Sequence, residues 1–155
     1  MSAARFRLEV LRRGRSRAPA RAEMRRWACA ALGRQARNRE IAVRLVGASE
    51  SRRLNARFRG RDRATNVLSF AVAGALPPEG ARPLGDLVLC PQVVRREAAA
   101  QGKPVRAHWA HLIVHGALHL IGYDHERPAD ARRMESREVR VLRALGFANP
   151  YRSVR

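Results

Sequence analysis

Lysine is nearly missing from this chain: among 155 residues Lys103 is the only one. Cysteine is scarce as well, with two residues, and aromatics make up 5%. Acidic residues number 13 against 32 Lys and Arg, and no apolar run approaches the ~20 residues that span a bilayer. Each shortage excludes something. Cys29 falls in a helical pattern and Cys90 at the end of a strand pattern, with no CxxC spacing, so neither a disulfide-stapled fold nor a cysteine zinc site is indicated. Without a spanning run, or a charged start followed by an apolar stretch, the reading is a soluble cytoplasmic protein with no membrane partner. The formal charge of +19 is carried almost wholly by arginine and points to a polyanion such as RNA. Codon composition also enriches arginine, so charge supports a nucleic-acid partner without identifying it.

The length suits a single domain over residues 1–155, and the 46% hydrophobic content is that of an ordinary globular chain. Phe6, Leu8 and Val10 alternate with charged residues as a strand does, which keeps the Arg-, Ser- and Ala-rich beginning inside the fold rather than in a transit peptide. A basic connection spans residues 12–17. Met24, Trp27, Ala28, Ala31 and Leu32 recur at helical spacing up to Gly33. Residues 41–46 read as a strand, Ser49 as the N-cap of a helix over 50–57, and residues 66–70 as a short buried strand. Residues 74–83, rich in proline and glycine, read as a surface loop that could flap over a site. A strand over 85–89 precedes a helix from Pro91 to about Ala100, then a helix over about 105–121. Pro128 opens a last helix with Met134, Val141, Leu142 and Leu145 facing inward. The expected fold is α+β, with about four strands in a small mixed sheet, about five helices, and the 105–121 helix at the centre.

The chemistry concentrates at His115-Gly116-Ala117-Leu118-His119-Leu120-Ile121-Gly122-Tyr123-Asp124-His125. His115 and His119 are one helical turn apart, and Gly122 is placed to end the helix and turn His125 back over the same face. Three imidazoles converging on one divalent cation, with a coordination position left for water, is the pattern of a catalytic rather than a structural zinc site. At 100° per residue His108, His111, His115 and His119 form a stripe about 80° wide on an otherwise apolar helix. His111 is assigned to support the ligands; Asp124 either orients a ligand imidazole or caps the turn after Gly122.

A second stretch, Arg59-Gly60-Arg61-Asp62-Arg63-Ala64-Thr65-Asn66-Val67-Leu68-Ser69-Phe70, sets guanidinium forks around a glycine, and those forks match phosphate oxygens. With the histidine motif and Leu84-Gly85-Asp86, the chain resembles the YbeY family of zinc-dependent endoribonucleases that mature ribosomal RNA. The resemblance runs through most of the chain in the same order. It implies an α+β fold, one zinc ion on His115, His119 and His125, and a functional arginine at Arg59. It also implies cleavage of single-stranded RNA in ribosomal RNA maturation and quality control, with the small ribosomal subunit or its proteins as candidate partners. Ala64 and Ala71 stand where the family commonly has proline.

On this reading zinc acidifies a water or polarises a phosphoryl oxygen, with His115 and Arg59 as the catalytic pair, and Arg59 offsets charge on the phosphorane. Arg59, Arg61, Arg63 and Asn66 would hold RNA. Two alternatives compete. The histidine spacing also fits the metzincin protease signature, but Gly116 stands where that signature has its general-base glutamate. A structural metal in a basic RNA-binding assembly factor is the other.

Overall fold

A computed structural model describes residues 5–12, 16–72 and 82–152. The elements run β1 (Arg7–Arg12), α1 (Arg21–Leu32), a 3-10 turn (Gly33–Ala36), β2 (Arg39–Leu45) and α2 (Ala48–Arg59). They continue with β3 (Val67–Ala71), β4 (Arg82–Leu89), α3 (Pro91–Gln101), α4 (Val105–Leu120) and α5 (Pro128–Ala144). The four strands form one sheet in the order β1-β2-β4-β3, with β1, β2 and β4 parallel and β3 antiparallel to β4. This is the expected α+β architecture of four strands and five helices.

Alternation along the strands sorts the core into two faces. Ile41, Val43 and Leu45 of β2 and Leu87 and Leu89 of β4 face the larger core, where Trp27 of α1 and Trp109, Ile113 and Leu118 of α4 are buried. Val88 and Leu68 point the other way, against Leu54 of α2. Helix α4 contacts β3, β4, α1, α3 and α5, so the histidine helix is central, as its mostly apolar circumference requires. No helix of the described residues is long and apolar enough to cross a membrane.

The largest departures from the sequence reading are at α2 and β4. The N-cap of α2 is Gly47, not Ser49, and the helix runs on to Arg59, so Arg59 sits on a helical turn rather than in a loop. Backbone pairing from Val46 N to Leu89 O, 3.0 Å, carries the strand ladder so close to α2 that no residue is left over before the helix. Strand β4 begins at Arg82 rather than Gly85 and includes Pro83. The ladder with β3 reaches only Gly85, so the missing N–H of Pro83 faces no partner strand on that side. The rest of the 74–83 loop and the middle of the 12–17 connection lie outside the described residues, and Ala71 ends a strand rather than forming a turn.

Two glycines bring α4 onto the sheet. A Cβ on Gly116 would lie 2.7 Å from Leu87 Cδ2, so this helix face presses directly on β4. At Gly85, where φ is +150° and the β2–β4 register shifts, a Cβ would lie 2.2 Å from the Phe70 carbonyl oxygen and 2.9 Å from Leu120 Cδ2. The carbonyl is backbone and cannot swing aside. Gly85→Ala should therefore destabilise the fold by about 2–3 kcal/mol, read as a lower urea midpoint at unchanged slope.

Candidate metal centre

The four histidines of α4 stand in file, with ring centroids 6.3 Å apart for His108 and His111, 6.2 Å for His111 and His115, and 4.7 Å for His115 and His119. The helix then stops. Gly122 takes φ +101°, its N–H donates to the His119 carbonyl at 3.1 Å, and the Tyr123 N–H donates to the Leu118 carbonyl at 3.0 Å. This pair of bonds satisfies the last-turn carbonyls and reverses the chain. Asp124 Oδ1 then accepts from the backbone N–H of His125 at 2.6 Å and of Glu126 at 3.1 Å, which holds the loop carrying His125. The His125 ring ends 4.9 Å from that of His119 and 5.7 Å from that of His115. One ligand atom from each of these three side chains lies within 4.8 Å of the others.

Behind this trio lies a carboxylate that the sequence reading did not single out. Glu138 of α5 is fully buried, with Oε1 2.5 Å from His115 Nδ1 and Oε2 3.0 Å from His111 Nε2. The Tyr151 hydroxyl donates to the same Oε2. Burial alone would raise the Glu138 pKa, but the hydrogen bonds from His111 and His115, the charge of His115 and the Tyr151 hydroxyl outweigh it and hold it at about 2. An ionised carboxylate on Nδ1 leaves Nε2 of His115 as its free donor atom, the carboxylate–histidine–metal arrangement that orients a ligand ring. Burial, then the neighbouring His115 and His125, depress His119 to about 4, partly opposed by the Tyr123 backbone and Asp124. His119 is therefore neutral at pH 7, the form that binds a cation. Three imidazoles, one of them backed by a buried carboxylate, suit a borderline divalent metal.

The centre opens into a cleft of about 860 Å³ lined by Arg59, Arg61, Asn66, Asp124 and Tyr151 as well as the three histidines. Arg59 is held from behind: its Nη2 donates to the Ser69 carbonyl at 2.9 Å, and its guanidinium carbon lies 5.4 Å from the Phe70 ring centre. Asn66 donates to Glu97 Oε1 at 2.9 Å while its own Oδ1 accepts the Val67 N–H at 2.6 Å. The same Glu97 oxygen bonds His108 Nε2 at 2.9 Å, which places His108 away from the trio. Arg63 is exposed and is not among the cleft-lining residues; its carbonyl accepts from Asn55 Nδ2 at 2.8 Å. His111 takes its place beside the trio through Glu138 and Tyr151.

The turn that carries Arg61 is fixed by α2. Ser51 Oγ both donates to the Thr65 carbonyl at 3.1 Å and accepts the Thr65 N–H at 2.9 Å, and Arg52 makes a two-pronged exposed pair with Asp62 at 2.6 and 3.0 Å. Ser51 and Asn55 are buried polar residues on the inner face of α2, and that position was the available signal.

Two of these groups make the apoprotein acid-sensitive. His119, at about 4 folded against its ordinary 6.5, favours the fold fully above pH 6.5, and that contribution is lost as pH falls through 4. Glu138, at about 2 against 4.5, adds stability above pH 4.5 that is lost on the way to 2. The urea midpoint of metal-free protein should thus be flat above neutrality and fall below pH 6.5, and His119→Ala should shallow the fall between pH 6.5 and 4.

Comparison with known proteins gives a consistent answer. The family profile Endoribonuclease YbeY matches residues 15–146. Proteins named Endoribonuclease YbeY from Aromatoleum aromaticum and Methylococcus capsulatus are 58% and 51% identical, over 88% and 96% of this chain and 84% and 97% of theirs. One from Halorhodospira halophila is 54% identical over 86% of this chain and 88% of its own. The solution structure of TM1509 from Thermotoga maritima superposes with a TM-score of 0.57 over 94% of this chain and 99% of that one, at 21% identity, and shares the fold. A chain with this histidine trio, this sheet and these relatives belongs to the YbeY endoribonuclease family.

Proposed function

We propose that this protein is a metal-dependent endoribonuclease of the cytoplasm that cleaves single-stranded segments of ribosomal RNA during ribosome maturation, with the small ribosomal subunit as the setting. One observation carries the reading: three imidazoles gather at the base of a cleft whose wall presents Arg59 and Arg61. The family resemblance of the relatives named Endoribonuclease YbeY supports the reaction type.

His115, His119 and His125 would hold the ion, one per chain, and three imidazoles suit zinc. When bound, such a cation acts as a Lewis acid toward phosphoryl oxygens and lowers the pKa of water. The chain's own residues do the rest. Glu138 and His111 keep the His115 ring aimed. Arg59, already anchored on the Ser69 carbonyl and Phe70, can turn its remaining N–H groups to a phosphate without first being ordered, and opposes negative charge as it builds on phosphorus. Arg61 and Asn66 hold the flanking chain. Arg63, exposed on the same turn, would meet phosphates further along the strand. Asp124 keeps His125 in place through the backbone.

A peptidase reading finds no support, because Gly116 supplies no general-base carboxylate and its position is packed against Leu87. An RNA-binding assembly factor with a structural metal is separated by assay. Metal-loaded protein should cut ribosomal RNA; binding without cutting would select the assembly factor. His119→Ala should lower zinc affinity by at least about 100-fold and abolish cleavage, and full zinc content by elemental analysis would remove His119 as a ligand. Arg59→Glu should keep zinc content while kcat falls by about 10²–10³, the loss seen when one donor to transition-state charge is removed; unchanged turnover would exclude Arg59.

A further inference from the structure

We propose that Tyr151, on the C-terminal tail, is a positioning residue of the metal centre: with His111 it pins one oxygen of Glu138, so that the other oxygen keeps His115 oriented. The inference rests on the metal reading above. The family match ends at residue 146, before the tail, and so assigns Tyr151 nothing.

Tail residues 147–152 belong to no helix or strand, yet they are tied down at several points. The Phe147 N–H donates to the Leu142 carbonyl at 2.8 Å, and its ring packs edge-on to Trp27 at 5.8 Å under the Arg106 guanidinium. Lys103, the chain's single lysine, donates from Nζ to the Pro150 carbonyl at 2.8 Å. Asn149 Oδ1 accepts the Tyr151 N–H at 2.8 Å. These ties deliver a half-exposed phenol to the cleft wall with its hydroxyl turned inward.

The hydroxyl meets a carboxylate that water does not reach. Glu138 has 0% side-chain exposure, so an oxygen that loses its donor cannot recover one from solvent. Tyr151 donates to Oε2, and its hydroxyl also lies 3.3 Å from His111 Nε2, with the two rings edge-on at 5.4 Å. Two donors on Oε2 fix the carboxylate plane. That plane sets the direction from which Oε1 receives His115 Nδ1, and hence where Nε2 points. Without the phenol, Oε2 keeps His111 alone, and the carboxylate plane loses one of the three contacts that set it.

The test is Tyr151→Phe in the full chain, which keeps the ring and its packing and removes one oxygen. Zinc affinity is measured by chelator competition, and the visible spectrum of the cobalt-loaded protein reports ligand geometry directly. Tyr151→Phe should weaken zinc binding by about tenfold, the low end for partners of ligand residues, and shift the cobalt bands. A purely structural tail would move neither. Zinc affinity within about twofold of the parent protein, or an unchanged cobalt spectrum, would overturn the role of Tyr151 while leaving the metal centre intact. A parent protein that binds neither metal would overturn the metal reading and this inference with it.

Discussion

A buried helix that carries ionisable groups must find each of them a partner, and the rest of this molecule answers that requirement. Helix α4 is apolar on most of its surface and lies between sheet and helices, so its file of imidazoles sits where water is scarce. An unsatisfied polar group there costs several kcal/mol. Glu97 of α3 takes His108, Glu138 of α5 takes His111 and His115, and His119, with no carboxylate behind it, faces the cleft beside His115 and His125. The two carboxylates thus divide the stripe into a half consumed by structure and a half left for chemistry. They also tie α3 and α5 to α4, so the packing that completes the core is the packing that shapes the site.

The arginine side of the cleft is built by a different economy. Helix α2 lies on the opposite face of the sheet from α4, and its last turn and the following loop reach round to the rim. Ser51 and Asn55 satisfy the loop backbone from within, and Arg52 with Asp62 closes it from outside, a pair so exposed that its value is geometric rather than energetic. Of the two arginines that line the cleft, Arg59 is the one anchored on a carbonyl and a ring before any substrate arrives.

What could be read from the residues alone was what depends on short-range spacing. His115, His119, Gly122 and His125 lie within one helix end and one turn, so helical geometry predicts their meeting, and the meeting is observed. Helix α4 as the centre followed from its apolar circumference. Glu138 and Tyr151 were not found because contacts at separations of 23 and 36 residues from His115 depend on how α5 and the tail are packed. A trace was present even so: Glu138 continues the inward stripe of Met134, Val141 and Leu142, and a carboxylate in such a stripe needs a reason. Ser49 misled because cap preference is a weak local bias, overruled where strand pairing continues to Val46.

The two glycine seats under α4 have a consequence for how far away damage can originate. With Leu87 against Gly116 and Leu120 against Gly85, the helix is seated on the sheet at two heights. An added methyl group at Gly85 would press on the β3 backbone at Phe70 and on Leu120, the residue next to His119 in α4, so strain in the strand reaches the helix end that carries a ligand. Loss of chemistry from a substitution deep in β4, with no contact to the cleft, is thus a built-in property of so close a fit.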